Sequence, residues 1–222
     1  MTDKPPRKAD QFTYFSYSRL WCYLKDPKEY FNRYVLGVSE PPNEYMVLGT
    51  IFARAYAEPS FDWKAALVNP RLADKRAPET ITFTSDYARV MEKVLNHPKM
   101  FRLDPRLCEQ TVKVQGKVCK LQAKHDGRDE KFVKSNVLII ENKYGSCWTE
   151  QRANEEDQIT FYSYVDWLLT GKIPLVKVQT ADRKSGRVES FEVIKTKEQF
   201  APLEDKIEHA YRGIINEVYE TI

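Results

Sequence analysis

The chain has 222 residues, 42% of them hydrophobic and 13% aromatic, which excludes a disordered polymer and fits one α/β unit with a sizeable core. The formal net charge is only +3, so bulk charge does not announce a nucleic-acid partner and any such contact must come from local patches. No signal peptide or apolar run long enough to span a bilayer is legible, which predicts a cytoplasmic protein with reduced thiols and no membrane partner.

Met1 to Asp10 is charged and contains prolines, so residues 1–12 read as a flexible tail and 13–222 as a single domain. Ser16 or Ser18 can cap a first helix running to about Lys25, and Asp26 with Pro27 restarts a second as N-cap and first-turn residue. A third helix is expected over about Glu44 to Ala57, with Gly49 admitting close packing. Asp62 to Glu79 is weakly patterned, and Ser85 to Leu95 returns to a helix. Strands follow near Cys108–Gln115, Val118–His125 and Val137–Lys143, then a helix from about Glu150 to Leu169. Lys172–Thr180 and Arg187–Ile194 read as a hairpin about the turn-rich Asp182-Arg183-Lys184-Ser185-Gly186, and Glu198 to Glu220 closes as a helix. This order predicts an α/β fold with a central mixed sheet flanked by helices.

Val137-Leu138-Ile139-Ile140-Glu141-Asn142-Lys143 is the stretch richest in chemistry. Four consecutive apolar β-formers read as a buried strand that ends by presenting a carboxylate and an ammonium. Strand alternation puts Glu141 and Lys143 on one face, Ile140 and Asn142 on the other. Asp126 ends the preceding strand-like run fifteen residues upstream. Two carboxylates at the ends of neighbouring strands can hold a divalent cation, and the lysine then stands beside the water that the cation polarises. Phosphodiester hydrolysis needs that set of groups. Acid-x-Lys occurs six times in the chain, beginning at Asp26, Asp62, Asp129, Glu141, Asp182 and Glu204. Only the copy at Glu141 follows such an apolar run, so only there would charges end a covered strand, where unpaired charge is costly. The same residues also read as a strand that leaves the core and meets solvent at Glu141.

The helix that follows carries Gln158 and Tyr162 four residues apart, hence on one face. An amide and a phenol packed against that strand pair can orient Lys143 or contact a DNA phosphate. Ile159, Phe161, Tyr162, Val165 and Leu168 also form an apolar stripe, so Tyr162 by itself reads as core. Its pairing with Gln158 is what points to a site.

In this order the elements resemble the RecB-like and RecE-like exonucleases of the PD-(D/E)XK superfamily. Their pattern is a strand ending in Asp, a strand ending in Glu or Asp, any residue, Lys, and a helix with Gln-x-x-x-Tyr. Asp126, Glu141-Asn142-Lys143 and Gln158 to Tyr162 match it. Ser16-Tyr17-Ser18-Arg19-Leu20, Asp26-Pro27-Lys28-Glu29-Tyr30-Phe31 and Tyr34 resemble the family's opening helices. Asn96-His97-Pro98-Lys99, with Glu109 opening the next strand, is similar to the RecE-like branch, so the resemblance covers about residues 13 to 215. It implies a restriction-endonuclease-like fold and a Mg²⁺- or Mn²⁺-dependent deoxyribonuclease, an exonuclease serving DNA repair, recombination or phage DNA processing. Asp126, Glu141 and the carbonyl of Asn142 would hold the metal, with Glu109 assisting. Lys143 would position the attacking water and stabilise the transition state. Gln158 and Tyr162 would orient lysine and phosphate. DNA is the implied partner, with a repair or recombination protein and a second copy of the chain as further candidates.

One landmark of the family is absent. Its Gly-x-x-x-His meets Leu48-Gly49-Thr50-Ile51-Phe52-Ala53 here, so Ala53 stands where a histidine ligand would be. This predicts an oxygen-dominated, weakly binding site that favours Mn²⁺ at limiting metal. It also keeps open a non-catalytic module that retains the fold for DNA or protein contact, or a subunit active only within a larger assembly. His125 is expected to face away from Asp126 and to be structural. Cys22, Cys108, Cys119 and Cys147 are scattered without C-x-x-C, so no iron–sulfur cluster is expected. Lys113, Lys117, Lys120 and Lys124, and separately Lys25, Lys28 and Arg33, are candidate phosphate-binding patches or plain solvated faces.

Overall fold

The computed structural model describes residues 14–38, 40–133 and 136–220, and the tail expected over residues 1–12 lies outside them. Six strands form one mixed sheet: β1 (Phe15–Ser16), β2 (Cys108–Gln115), β3 (Lys120–Val133), β4 (Asn136–Gly145), β5 (Leu175–Asp182) and β6 (Val188–Val193). The path runs β1-β3-β4-β5-β6, with β2 on the other edge of β3. β3 is antiparallel to both β2 and β4, β5 lies parallel to β4, and β6 returns antiparallel as the expected hairpin. Helices flank the sheet, and among the described residues none is long and apolar enough to cross a membrane.

The helices begin where local chemistry can satisfy their free N–H groups. α1 (Tyr17–Lys25) has Ser16 at its N-cap, but the Ser16 hydroxyl makes no capping bond and lies 3.1 Å from that of Ser18. α2 (Pro27–Tyr30) starts as expected, with Asp26 accepting from the Lys28 and Glu29 N–H groups, and continues as a π-helical turn over Phe31–Val35. Asn43 accepts from the Met46 N–H to open α3 (Glu44–Ala57), and Asp62 caps α4 (Trp63–Val68), a short helix in a stretch with little apolar pattern. α5 spans Ser85–Leu95. The helix expected from Glu150 is broken at Glu156, whose extended backbone separates α6 (Glu150–Glu155) from α7 (Asp157–Thr170). Gly171, at φ 71°, ends α7 in the left-handed conformation that glycine adopts without penalty. α8 (Phe200–Glu220) closes the described fold.

β4 shows why the sheet is central. Val137 and Ile139 join Phe161, Val165, Leu203 and Ile207 in the core beneath α7 and α8. Leu138 and Ile140 join Leu48, Ile51, Met91 and Val94 beneath α3 and α5. The strand is therefore covered on both faces, and each buried aliphatic side chain contributes about 1.5–3 kcal/mol relative to exposure. This double burial anchors the charged end of β4.

Candidate active site at the fork between β3 and β4

A strand has two edges, and β3 spends one of them on β2, from Gln115 opposite Lys120 to Cys108 opposite Gly127. Its other edge is shared. β4 takes it from Gly127 onward, whereas β1 pairs with Leu121 and Gln122. Between these contacts β3 and β4 part, and Asp126 sits at the crotch of the fork. Its Oδ2 accepts from the Asn142 backbone N–H at 2.6 Å, just past the last β3–β4 pair, so a carboxylate continues the ladder where a carbonyl would stand.

β3 also changes face at this point. His125 is turned toward α7, with its ring edge-on to Tyr162 at 4.8 Å between centroids. A Cβ at Gly127 would instead meet Leu103 and Ile140, members of the opposite core. Positions two apart in a regular strand share a face, so the alternation slips by one at Asp126. On β2 the neighbouring Glu109 has φ 53°, a left-handed backbone uncommon outside glycine, although the β2–β3 register runs on unbroken. The sequence reading set His125 on the face opposite Asp126 as a structural residue; the fold buries it with its ring behind Tyr162.

Glu141 and Lys143 share the α7 face of β4, as alternation requires. The Lys143 ammonium lies 2.6 Å from Glu141 Oε1 and donates to Gln158 Oε1 at 2.7 Å. Gln158 Nε2 in turn donates to the Tyr162 hydroxyl at 2.7 Å. Glu141 is only 3% exposed and Tyr162 8%, so both ends of this chain of contacts are buried, while Lys143 keeps 27% of its side chain exposed. Burial pulls the Lys143 pKa down, but the charge and hydrogen bond of Glu141 outweigh it and hold the ammonium above its usual range. Burial, then the charge of Glu141, pushes the Tyr162 phenol up, against the hydrogen bond from Gln158. Burial and then Glu141 also push the Asp126 carboxyl well above the usual range, with the Asn142 N–H and Lys143 opposing. The site thus offers a fixed cation and a neutral phenol beside two carboxyl groups, and repulsion between their charged forms adds to burial in raising the Asp126 pKa. Such repulsion is what a bound divalent cation relieves.

Among the described residues no three His, Cys, Asp or Glu side chains gather closely enough to hold a metal ion. Glu109 forms an ion pair with Lys124. Asn142 gives its N–H to Asp126, while its side-chain oxygen accepts from Gln179 Nε2 at 2.9 Å. The donors Asp126 and Glu141 fit Mg²⁺ or Mn²⁺, hard ions that accept one or two protein carboxylates and keep several waters. Ala53 lies on α3, which packs over β4 with Phe52 stacked on Tyr144 at 4.6 Å. In the expected lysine patch, Lys117 pairs with Glu208 and Lys124 with Glu109, so those charges are partly neutralised at home.

Sequence reasoning missed the polar layer behind the site. Asp166 on α7 is 0% exposed, with its carboxylate 2.8 Å from His125 Nε2 and accepting from Arg128 Nε at 2.8 Å. Its only signal is a charged residue among Val165, Trp167, Leu168 and Leu169.

No protein-family model and no curated protein matches this chain. Among solved structures it is similar to a crystal structure from Eubacterium rectale bearing the name "Putative exonuclease", with a TM-score of 0.59 and 9% identity over 99% of this chain and 89% of that one. At that identity the likeness speaks for the fold alone. The chain shares the α/β fold of that structure, here a six-stranded mixed sheet flanked by helices.

Proposed function

We propose that the chain is a metal-dependent DNA nuclease that removes nucleotides from DNA ends, in repair, recombination or phage DNA processing. The observation that carries this reading is the linked series Glu141–Lys143–Gln158–Tyr162 beside Asp126 at the fork. Asp126 and Glu141 would hold Mg²⁺ or Mn²⁺, which supplies a polarised water and offsets charge on the scissile phosphate. Lys143, kept cationic and aimed by Glu141 and Gln158, stabilises negative charge developing on the phosphate. Gln158 holds lysine and phenol in register. Tyr162, kept neutral, is a hydrogen-bond donor to the substrate rather than a base.

End-labelled linear DNA and covalently closed DNA, digested with Mg²⁺, Mn²⁺ or EDTA, test the proposal. Linear DNA is expected to shorten from its ends with either metal, with Mn²⁺ more effective at limiting concentration because it binds the same oxygen donors more tightly. Closed circles and EDTA reactions stay intact. Lys143→Ala is expected to lose about 10²–10³-fold in cleavage rate while retaining DNA binding, since its contribution arises mainly in the transition state. Cleavage by that variant at the wild-type rate refutes the lysine's role. Intact DNA with both metals supports the non-catalytic module toward which Ala53 points.

A further inference from the structure

Lys143 belongs to two features at once. Besides closing the site, it lines an open groove of about 630 Å³ bounded by Tyr17, Trp21, Trp148, Arg152 and Glu156. That volume lies within the roughly 300–1,000 Å³ usual for ligand sites. Trp21 projects from α1 with 53% of its surface exposed, an uncommon state for the largest apolar side chain. Trp148 forms the inner wall and is held rigidly: it is 9% exposed, and its backbone N–H donates to Thr180 Oγ1 at 3.1 Å. The Arg152 guanidinium lies 4.6 Å from the Trp148 ring centroid and the Lys143 ammonium 5.7 Å from it. The same rim also carries the carboxylates of Glu155, Glu156 and Asp157. Glu156 accepts from the Tyr17 hydroxyl at 3.3 Å, and Asp157 pairs with Lys206 at 2.6 Å.

We infer that this groove receives an unpaired nucleobase of single-stranded DNA, adjoining the scissile phosphate at the fork; the inference rests on the nuclease reading above. Aromatic faces stack on any base, because every base has a π-face. Lys143 and Arg152 supply the positive side along which the attached phosphates run. The acidic groups disfavour the second phosphate backbone of a duplex, yet a carboxylate such as Glu156 accepts hydrogen bonds from the N–H groups of an unpaired base, the N3–H of thymine included. A groove that combines aromatic faces with both basic and acidic groups therefore selects a splayed single strand over paired DNA.

The test is binding of a labelled short oligothymidylate and of a blunt duplex in EDTA, followed by fluorescence anisotropy, so that no turnover is needed. Trp21→Ala is expected to weaken oligothymidylate binding about 5- to 100-fold, the usual cost of one lost base-stacking partner, and to leave duplex binding unchanged. Trp21→Phe, which keeps an aromatic face, is expected to restore most of the loss. Trp21 is exposed, so the substitution spares the core. The inference is overturned if Trp21→Ala binds the oligonucleotide like the wild type, if duplex binding falls equally, or if the wild type binds no single strand. The end-labelled cleavage assay separates the two proposals. Lys143-dependent cutting without Trp21-dependent binding sinks the groove alone. Trp21-dependent binding without any cutting sustains the groove and sinks the nuclease.

Discussion

Asp166 shows how one residue organises the support of the site. Its carboxylate joins Arg128 and His125, which stand on either side of Asp126 along β3, two residues after it and one before. Both are turned toward α7 although regular alternation would set them on opposite faces, so Asp166 braces the slip that creates the fork. Arg128 is 8% exposed and also contacts Glu130. Burial pulls its pKa down, and Glu130 and Asp166 more than compensate. Removing Asp166 would leave a guanidinium buried with less than its due of negative charge, which typically costs about 3–5 kcal/mol. Asp166→Ala is therefore expected to lose that much stability in urea unfolding, whereas a loss below ~1 kcal/mol would mean that Glu130 alone satisfies the arginine. The contrast with Glu141, Lys143, Gln158 and Tyr162 is instructive. Those four are legible because an i, i+2 strand pair and an i, i+4 helix pair share a face by local geometry. Asp166 meets its partners only through tertiary packing, so sequence shows a charge in an apolar stripe and nothing of why it is tolerated.

At the scale of elements, α1 and α8 pack through a glycine. Gly213 lies within α8, where exchange for alanine ordinarily stabilises a helix by about 0.5–1 kcal/mol. Here a Cβ would run into the Tyr23 hydroxyl and come within 2.8 Å of its Cζ. Tyr23 has little room to yield, being buried and edge-on to Tyr30 at 5.7 Å. Gly213→Ala is thus expected to destabilise by about 1–3 kcal/mol through overpacking. In a Tyr23→Ala background the same exchange is expected to become neutral or favourable, and a double-mutant cycle in thermal unfolding reads the coupling directly. Additive behaviour would show that the helices do not meet there. The packing also bears on function, because α1 carries Trp21 into the groove beside Lys143.

The whole molecule carries a pH signature from its buried phenols and thiol. Burial pushes Tyr30 and Tyr56 up from 10.0 to about 12, and Cys119 up from 9.0 to about 12. Tyr17, Tyr144, Tyr162 and Tyr164 are raised further, with burial again the first cause. An acid whose folded pKa lies above its unfolded value keeps its proton longer when folded. The unfolded chain then binds fewer protons, and stability falls as pH rises. The contribution is fully present below pH 9.0 and is lost between 9.0 and about 12. Buried Lys195 opposes this trend, since its lowered pKa means that deprotonation relieves a burial penalty, but it is one group against several. The melting temperature is expected to fall progressively above about pH 9, and Tyr30→Phe is expected to make the fall shallower above pH 10.0. A melting temperature that rises over this window contradicts the assignment.

Local periodicity and turn chemistry by themselves determined the elements whose hydrogen bonds or caps lie within a few residues. α3, α5 and β2 run over the spans their patterns predict, and Asp26 caps α2 as its sequence suggests. The same local rules set Glu141 with Lys143 and Gln158 with Tyr162 on common faces. Tertiary structure decided the rest. β1 is only two residues long, too short for any pattern, and is a strand because β3 offers it an edge at Leu121 and Gln122. β3 continues to Val133 through Asp129-Glu130-Lys131, a charged run that no periodicity marks, because β4 pairs with it at Asp129 and again at Val133, across an irregularity in register. The break at Glu156, the slip at Asp126 and the fork itself likewise come from contacts between distant segments. The physical reason is where the partners lie. A helix completes its backbone hydrogen bonds within its own sequence, whereas a strand completes them on another, and a site built where two strands part exists only once both are in place.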